Sequence, residues 1–80
     1  GDATAARAAF ARALAAAPTD AQVHNNFANF LKKQGDHEGA LAAYGAALRH
    51  APALHQARLN RAILLNSLNR HEEALADAET

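Results

Sequence analysis

Among the residues of this sequence that could do chemistry, asparagine is the most prominent. Five of the six asparagines lie in two short segments: Asn25, Asn26, Asn29, Asn60 and Asn66. A primary amide offers one acceptor and two donors, which can pair with the C=O and N–H groups of a peptide backbone. Asparagine also lowers helix stability, because its side chain competes for backbone hydrogen bonds. Two interpretations stay open: these amides bind an extended peptide, or they bond to neighbouring groups and order the packing of helices.

Catalytic and metal-binding groups do not form a recognisable set. Ser67 is the only serine, cysteine is absent, and no grouping of Ser, His and an acid has motif spacing. The five histidines include no two that are three or four residues apart, the spacing that places two ligands on one helix face. They are His24, His37, His50, His55 and His71. We therefore expect no enzyme activity, no cofactor and no metal site in these residues.

The length and charge of the chain narrow the class of protein. Eighty residues make one small domain, and eight basic residues balance eight acidic ones. A chain without net positive charge lacks the main attraction to nucleic acid. There is also no run of apolar residues long enough for a membrane span, and no secretory signal. We expect a soluble, cytoplasmic protein whose partner is neither nucleic acid nor membrane.

The sequence repeats itself every 34 residues. Aligning the chain with itself at that offset gives 18 identities in 46 positions, where the alanine-rich composition would give about 6 by chance. Pro18 recurs as Pro52, and Asn26 recurs as Asn60. A fixed period of this length is typical of a helical repeat array.

Each period has the signals of two helices joined by a tight turn. Thr19 and Gln22 have the spacing of a capping box, which predicts the start of a first helix. Gly35 suits the left-handed conformation that ends a helix, and Asp36 can cap the next one. Pro52 prevents continuation of that second helix.

The same signals recur in the next period and set the predicted architecture. They predict a helix over Leu54–Leu68, a turn at Asn69 and a last helix from about His71. The chain is thus predicted to be all-α, a solenoid of antiparallel helix pairs with about five helices. We interpret it as a single piece of a longer array with exposed end helices. Its parts are the second helix of a truncated first repeat (1–18), a complete repeat (19–52) and a third repeat truncated at its C-terminal end (53–80).

Residues 21–52 resemble one full tetratricopeptide repeat. The matching positions are Phe27, Ala28, Leu31, Ala40, Tyr44, Ala47 and Pro52. The resemblance extends over essentially the whole chain and implies a right-handed superhelix that binds a protein or peptide. Small residues let paired helices approach closely, as expected for Ala28 with Ala40 and for Ala62 with Ala74.

Two positions depart from the pattern of this family. His24 stands where the family often has Trp, and Arg61 stands where the preceding repeat has Phe27, at a site expected to be buried. A variant of the family places Arg there together with Asp on the following helix, and Asp77 occupies that second place. The resemblance therefore implies an ion pair between Arg61 and Asp77, because a buried charge without a partner strongly destabilises a fold.

The resemblance also indicates which face binds. In this family the first helix of each pair lines the concave face, and Asn26 and Asn60 match a ladder that grips substrate peptides in the sugar-transferring members. Further residues expected on that face are Gln22, Asn25, Asn29, Lys32, Lys33, Gln56, Leu59, Ile63, Asn66 and Ser67. A clamp for a terminal carboxylate is disfavoured, because neutral amides stand where such a clamp needs cations.

Three hypotheses about function follow. The first is a non-catalytic module that binds an extended peptide on its concave face. The second is a substrate-recruiting arm of a larger modifying enzyme, similar to a glycosyltransferase. The third is a self-associating scaffold, in which exposed end helices pack against a second copy of the chain by stacking or by helix exchange.

Overall fold

Four α-helices joined by short turns form the part of the chain that the structure describes. The computed structural model describes the backbone of residues 2–79 and the side chains of residues 3–68. The helices are α1 (Asp2–Ala16), α2 (Ala21–Lys33), α3 (His37–His50) and α4 (His55–Glu79). The expected all-α fold of a helical repeat is confirmed, with four helices over residues 2–79 rather than about five.

The start of α2 depends on Asp20. Its carboxylate accepts hydrogen bonds from the backbone N–H groups of Gln22 at 3.0 Å and Val23 at 3.4 Å. These are donors that the helix itself leaves without partners. The cap is therefore Asp20 and not Thr19, since the acidic side chain lies directly before the first helical residue.

The turn between α2 and α3 combines a left-handed glycine with a second acidic cap. Gly35 has a φ of +85°, a conformation that residues with a Cβ adopt only at a cost. The N–H of Asp36 bonds to the carbonyl of Leu31 at 2.9 Å and so closes the end of α2. The Asp36 carboxylate then accepts from the N–H of Gly39 at 2.9 Å and caps α3. Two consecutive residues thus end one helix and begin the next.

The core lies mainly between α2 and α3 and is built largely from alanine. Ala28 on α2 and Ala40 on α3 are both fully buried, which allows the two helices to approach closely. Leu31 and Tyr44 supply the larger buried side chains. Both small residues of this repeat thus lie in the core of the hairpin.

The first helix packs through aromatic residues. Phe10 of α1 lies with its ring centroid 5.4 Å from Phe27 and 5.4 Å from Phe30, both on α2. The guanidinium of Arg7 lies 5.9 Å from the centre of the Phe30 ring, within range of a cation–π contact. These contacts attach α1 to α2, which carries half of the candidate binding residues.

The fourth helix departs from the sequence prediction. A turn is predicted at Asn69, but α4 runs through this residue without interruption. Asn69 stands one period after Gly35, and Arg70 stands one period after Asp36. Asparagine is strained in the left-handed region where glycine is not, and arginine has no acceptor with which to cap a helix. The two residues that end α2 and begin α3 are therefore replaced in α4 by residues that do this less well.

The outer side of α4 is consequently open. Arg61 and Ala62, which the sequence predicts to be buried, are both exposed. The side chains of Ala74 and Asp77 lie outside the described residues. Along a continuous helix, the 16 residues from Arg61 to Asp77 span about 24 Å. The ion pair stays a prediction, and it requires a break in α4 or a second chain.

Candidate functional site

Gln22 and Asn26 lie one turn apart on the exposed side of α2. Both side chains are exposed, and Gln22 Nε2 donates a hydrogen bond to Asn26 Oδ1 at 3.2 Å. This bond orients the Asn26 amide and uses one of the two lone pairs of its oxygen. Asn26 is thus an ordered polar group that a ligand can reach from solvent.

Asn29 links three helices through one oxygen atom. Its Oδ1 accepts a hydrogen bond from Asn60 Nδ2 on α4 at 3.2 Å. The same oxygen accepts a bond from the hydroxyl of Tyr44 on α3. Asn60, predicted to stack on Asn26 in a ladder, therefore makes this bond to the residue one turn further along α2. The contact joins α2 to α3 and α4 through side chains of the same chain.

Tyr44 is fully buried beneath this polar contact. Burial raises the pKa of its phenol above the usual 10.0, because the ionised form would lose its hydration. The sequence identified Tyr44 only as the aromatic residue of the repeat, and it did not reveal the hydroxyl contact. The one available signal was the choice of Tyr over Phe at a core position, since a buried hydroxyl needs a partner.

Asn25 lies in the core and not on the binding face. Its side chain is 2% exposed, and its Oδ1 accepts no hydrogen bond from the described residues. The expectation that Asn25 shares the exposed face with Asn26 is therefore wrong. Neighbouring positions on a helix point about 100° apart, so one of the two asparagines can face the core while the other faces solvent.

The remaining residues expected on this face are accessible. Leu59 is 62% exposed and Ile63 is 53% exposed, and both lie on α4. Lys33 at the end of α2 is exposed, whereas Lys32 is half-buried. Also exposed are Gln56, Asn66 and Ser67. The face therefore combines neutral amides on α2 with an apolar patch on α4.

A pair of histidines lies where α2 begins and α3 ends, opposite the turn that joins the two helices. The rings of His24 and His50 stack with centroids 5.5 Å apart. His24 Nε2 lies 2.8 Å from the carbonyl oxygen of Pro18, which anchors the ring to the turn before α2. The sequence marks His24 only as a replacement for Trp, and neither of these two contacts was predicted from it.

Metal-ion sites and membrane-spanning helices are both absent from the described residues. They contain no group of three or more His, Cys, Asp or Glu side chains arranged to hold a metal ion. None of the helices, over the residues described, is both long and apolar enough to cross a lipid bilayer.

Comparison with known proteins identifies a family whose repeats resemble part of this chain. A family model for the tetratricopeptide repeat matches residues 9–42, from the middle of α1 through α2 and into α3. No curated protein and no solved structure matches the chain. Repeats of this family are in general protein–protein interaction modules and are typically non-catalytic. The match spans one repeat period, 34 of the 80 residues, and the two helices α2 and α3 that it reaches pack as a hairpin. Over residues 9–42 the chain is therefore similar to a tetratricopeptide repeat.

Proposed function

We propose that this chain binds an extended peptide segment of another protein along the face shared by α2 and α4. The observation that carries the proposal is the hydrogen bond from Asn60 Nδ2 to Asn29 Oδ1 at 3.2 Å. Residues four and seven positions apart lie on one side of a helix. Gln22, Asn26 and Asn29 form such a stripe on α2. The bond joins it side by side to the matching stripe on α4.

The α4 stripe consists of Gln56, Asn60 and Ile63, with Leu59 beside it. Asn26 and Gln56 offer amide groups to the backbone of a peptide, whose N–H and C=O groups recur whatever its sequence. The exposed side chains of Leu59 and Ile63 offer an apolar contact. A ligand that fits both the amides and the apolar side chains is an extended peptide. It has one large apolar side chain beside a segment whose backbone N–H and C=O groups can form hydrogen bonds with the amides.

Charge has a small role on this face. The amides are neutral, and the two lysines lie together in the last turn of α2, where cations suit the helix dipole. We therefore expect binding to depend weakly on salt, in contrast to recognition of a terminal carboxylate by charged groups.

A library of random peptides displayed on phage tests this proposal. Peptides selected on the wild-type chain should share a large apolar residue. Their affinity should fall about tenfold for Asn26→Ala, which removes one or two hydrogen bonds. Ile63→Ala should lower it by a similar factor through loss of apolar contact.

The control for these variants is Arg49→Ala, which changes an exposed residue of α3. It should leave affinity unchanged. Asn26→Ala should retain or raise the stability of α2, since alanine is the better helix former, so loss of binding would not reflect unfolding. Failure to select peptides, or equal binding by wild type and Asn26→Ala, would contradict the proposed site.

A further inference from the structure

A second surface lies on the side of α4 that faces α3. Its lining residues are Leu48, Pro52, Arg58, Arg61, Ala62 and Leu65, here called the α3–α4 groove. Leu65 is 40% exposed, and Ala62 is exposed. Arg58 donates to the carbonyl of Pro52 at 2.6 Å, which fixes its side chain at the edge of the groove.

The preceding repeat indicates what chemistry covers such a surface. Ala28 and Leu31 stand one period before Ala62 and Leu65, and they are 0% and 3% exposed in the core shared with α3. The helix that covers them begins with the residues HEGAL, at positions 37–41. The chain contains nearly the same residues again, HEEAL, at positions 71–75. Residues 70–79 therefore have the sequence of a helix suited to the α3–α4 groove.

Those residues cannot reach the groove of their own chain while α4 is intact. They continue the same helix beyond Leu68, so they extend along its axis, away from Leu48 and Pro52. Folding them back would require a sharp turn at Asn69, where the glycine and the acidic cap of the first turn are both replaced. A second copy of the chain can supply the segment without breaking either helix.

Charge favours the same occupant. The groove carries two exposed guanidinium groups, those of Arg58 and Arg61. Residues 72–79 contain four acidic residues and no Lys or Arg. An exchange would bring a negative helix segment against a positive groove, which favours association and fixes its register.

We propose that two copies of this chain form a helix-exchanged dimer, in which residues 70–79 of each α4 pack in the α3–α4 groove of the other. Each groove then receives the same segment, so the interface is symmetric and closed. Arg61 of one copy faces Asp77 of the other. The ion pair predicted from the sequence is thereby formed between chains. The α3–α4 groove shares no residue with the proposed peptide-binding face of α2 and α4.

Charge reversal on each side of the pair tests the exchange. Light scattering on the wild-type chain, from micromolar to millimolar concentration, should show a monomer changing to a dimer. Arg61→Asp and Asp77→Arg should each weaken that dimer about tenfold, because each places like charges together at two symmetric contacts. An equimolar mixture of the two variants should restore it. In the mixed dimer one contact keeps the wild-type pair, and the other joins the two introduced side chains, whose charges are opposite.

The mixture distinguishes an ion pair between chains from one within a chain, because mixing the two variants cannot restore a pair that forms within one chain. Arg12→Asp on α1 is the control and should leave the dimer unchanged. A second variant, Asn69→Gly with Arg70→Asp, restores the residues of the first turn and should shift the chain to a monomer with helix content retained by circular dichroism. A wild-type chain that stays monomeric throughout, or a mixture that does not recover the dimer, would overturn the proposal.

Discussion

The α2–α3 pair and α4 share one sequence pattern, but the matching apolar side chains are buried in the first and exposed in the second. Ala28 and Leu31 are enclosed on α2, at 0% and 3% exposure. Their counterparts one period later, Ala62 and Leu65, are exposed on α4. The side chains are identical in type, so their own hydrophobicity does not explain the difference. What differs is whether the chain turns back and supplies a second helix.

The residues at the turn therefore determine whether the apolar face of each repeat is covered. At the first turn, Gly35 adopts a φ of +85° without strain and Asp36 caps the helix that follows. At the corresponding positions of the next repeat, Asn69 and Arg70 lack the glycine and the acidic cap, and the helix continues through them. A repeat whose apolar pattern is intact can thus leave its face open, because two turn residues determine where the covering segment lies.

Truncation of the two matched leucines gives the largest expected effect. Leu31→Ala should lower the free energy of unfolding by about 3 kcal/mol, since it removes buried methyl groups and leaves a cavity. Leu65→Ala should lower it by about 1 kcal/mol or less, because that side chain is already partly hydrated. Urea unfolding followed by circular dichroism at micromolar concentration measures both. Equal losses would mean that Leu65 is covered within its own chain.

Exchange of the turn residues should give the next largest effect. Replacing Gly35 by Asn and Asp36 by Arg gives the α2–α3 turn the two residues that stand at positions 69 and 70 of α4. The unfolding free energy should fall by about 2 kcal/mol, from strain at position 35 together with loss of the cap on α3. Thermal unfolding of the double variant beside Asp36→Ala would separate the two terms. A double variant as stable as wild type would remove the turn as the cause of the difference.

The sequence was sufficient for features that depend on periodicity. The repeat length, the α2–α3 hairpin and the burial of Ala28 and Ala40 in one core all follow from residues that recur every 34 positions. Features that depend on competition between local signals were missed. The turn predicted at Asn69 required a weak left-handed residue to outweigh a continuous run of helix formers.

The candidate site was predictable in outline but not atom by atom. The pattern placed Asn26 on the outer side of α2, yet it did not show that Asn25 is buried, since both residues are of one type and adjacent in sequence. The partner of Asn60 was also missed, because the offset between neighbouring helices decides that Asn29, and not Asn26, is within reach. Such offsets arise from packing in three dimensions, to which a repeat period is insensitive.

The smallest expected effect concerns the polar contact that joins the hairpin to α4. Tyr44→Phe removes a buried hydroxyl that donates to Asn29, while Asn29 keeps its bond from Asn60. Because that acceptor retains one partner, the unfolding free energy at neutral pH should fall by only about 1 kcal/mol. A loss of several times this size would show that the hydroxyl positions α4 as well as α3.

The pH dependence of this variant tests the burial of Tyr44 independently. Burial raises the pKa of the folded phenol above its unfolded value of 10.0, so the neutral form is favoured in the fold. Below pH 10 the phenol is neutral in both states and stability is unaffected. Above pH 10 the unfolded chain releases the proton first, so the stability of the wild type should fall as the pH rises towards the folded pKa. Tyr44→Phe lacks this loss, and the advantage of the wild type should shrink and then vanish.

Tyr44 is the only tyrosine, so its ultraviolet absorption reports the ionisation directly. A phenol that ionises at its usual pKa in the folded chain would show that α4 does not seal this contact from water, and the bond between Asn29 and Asn60 would then be open to exchange.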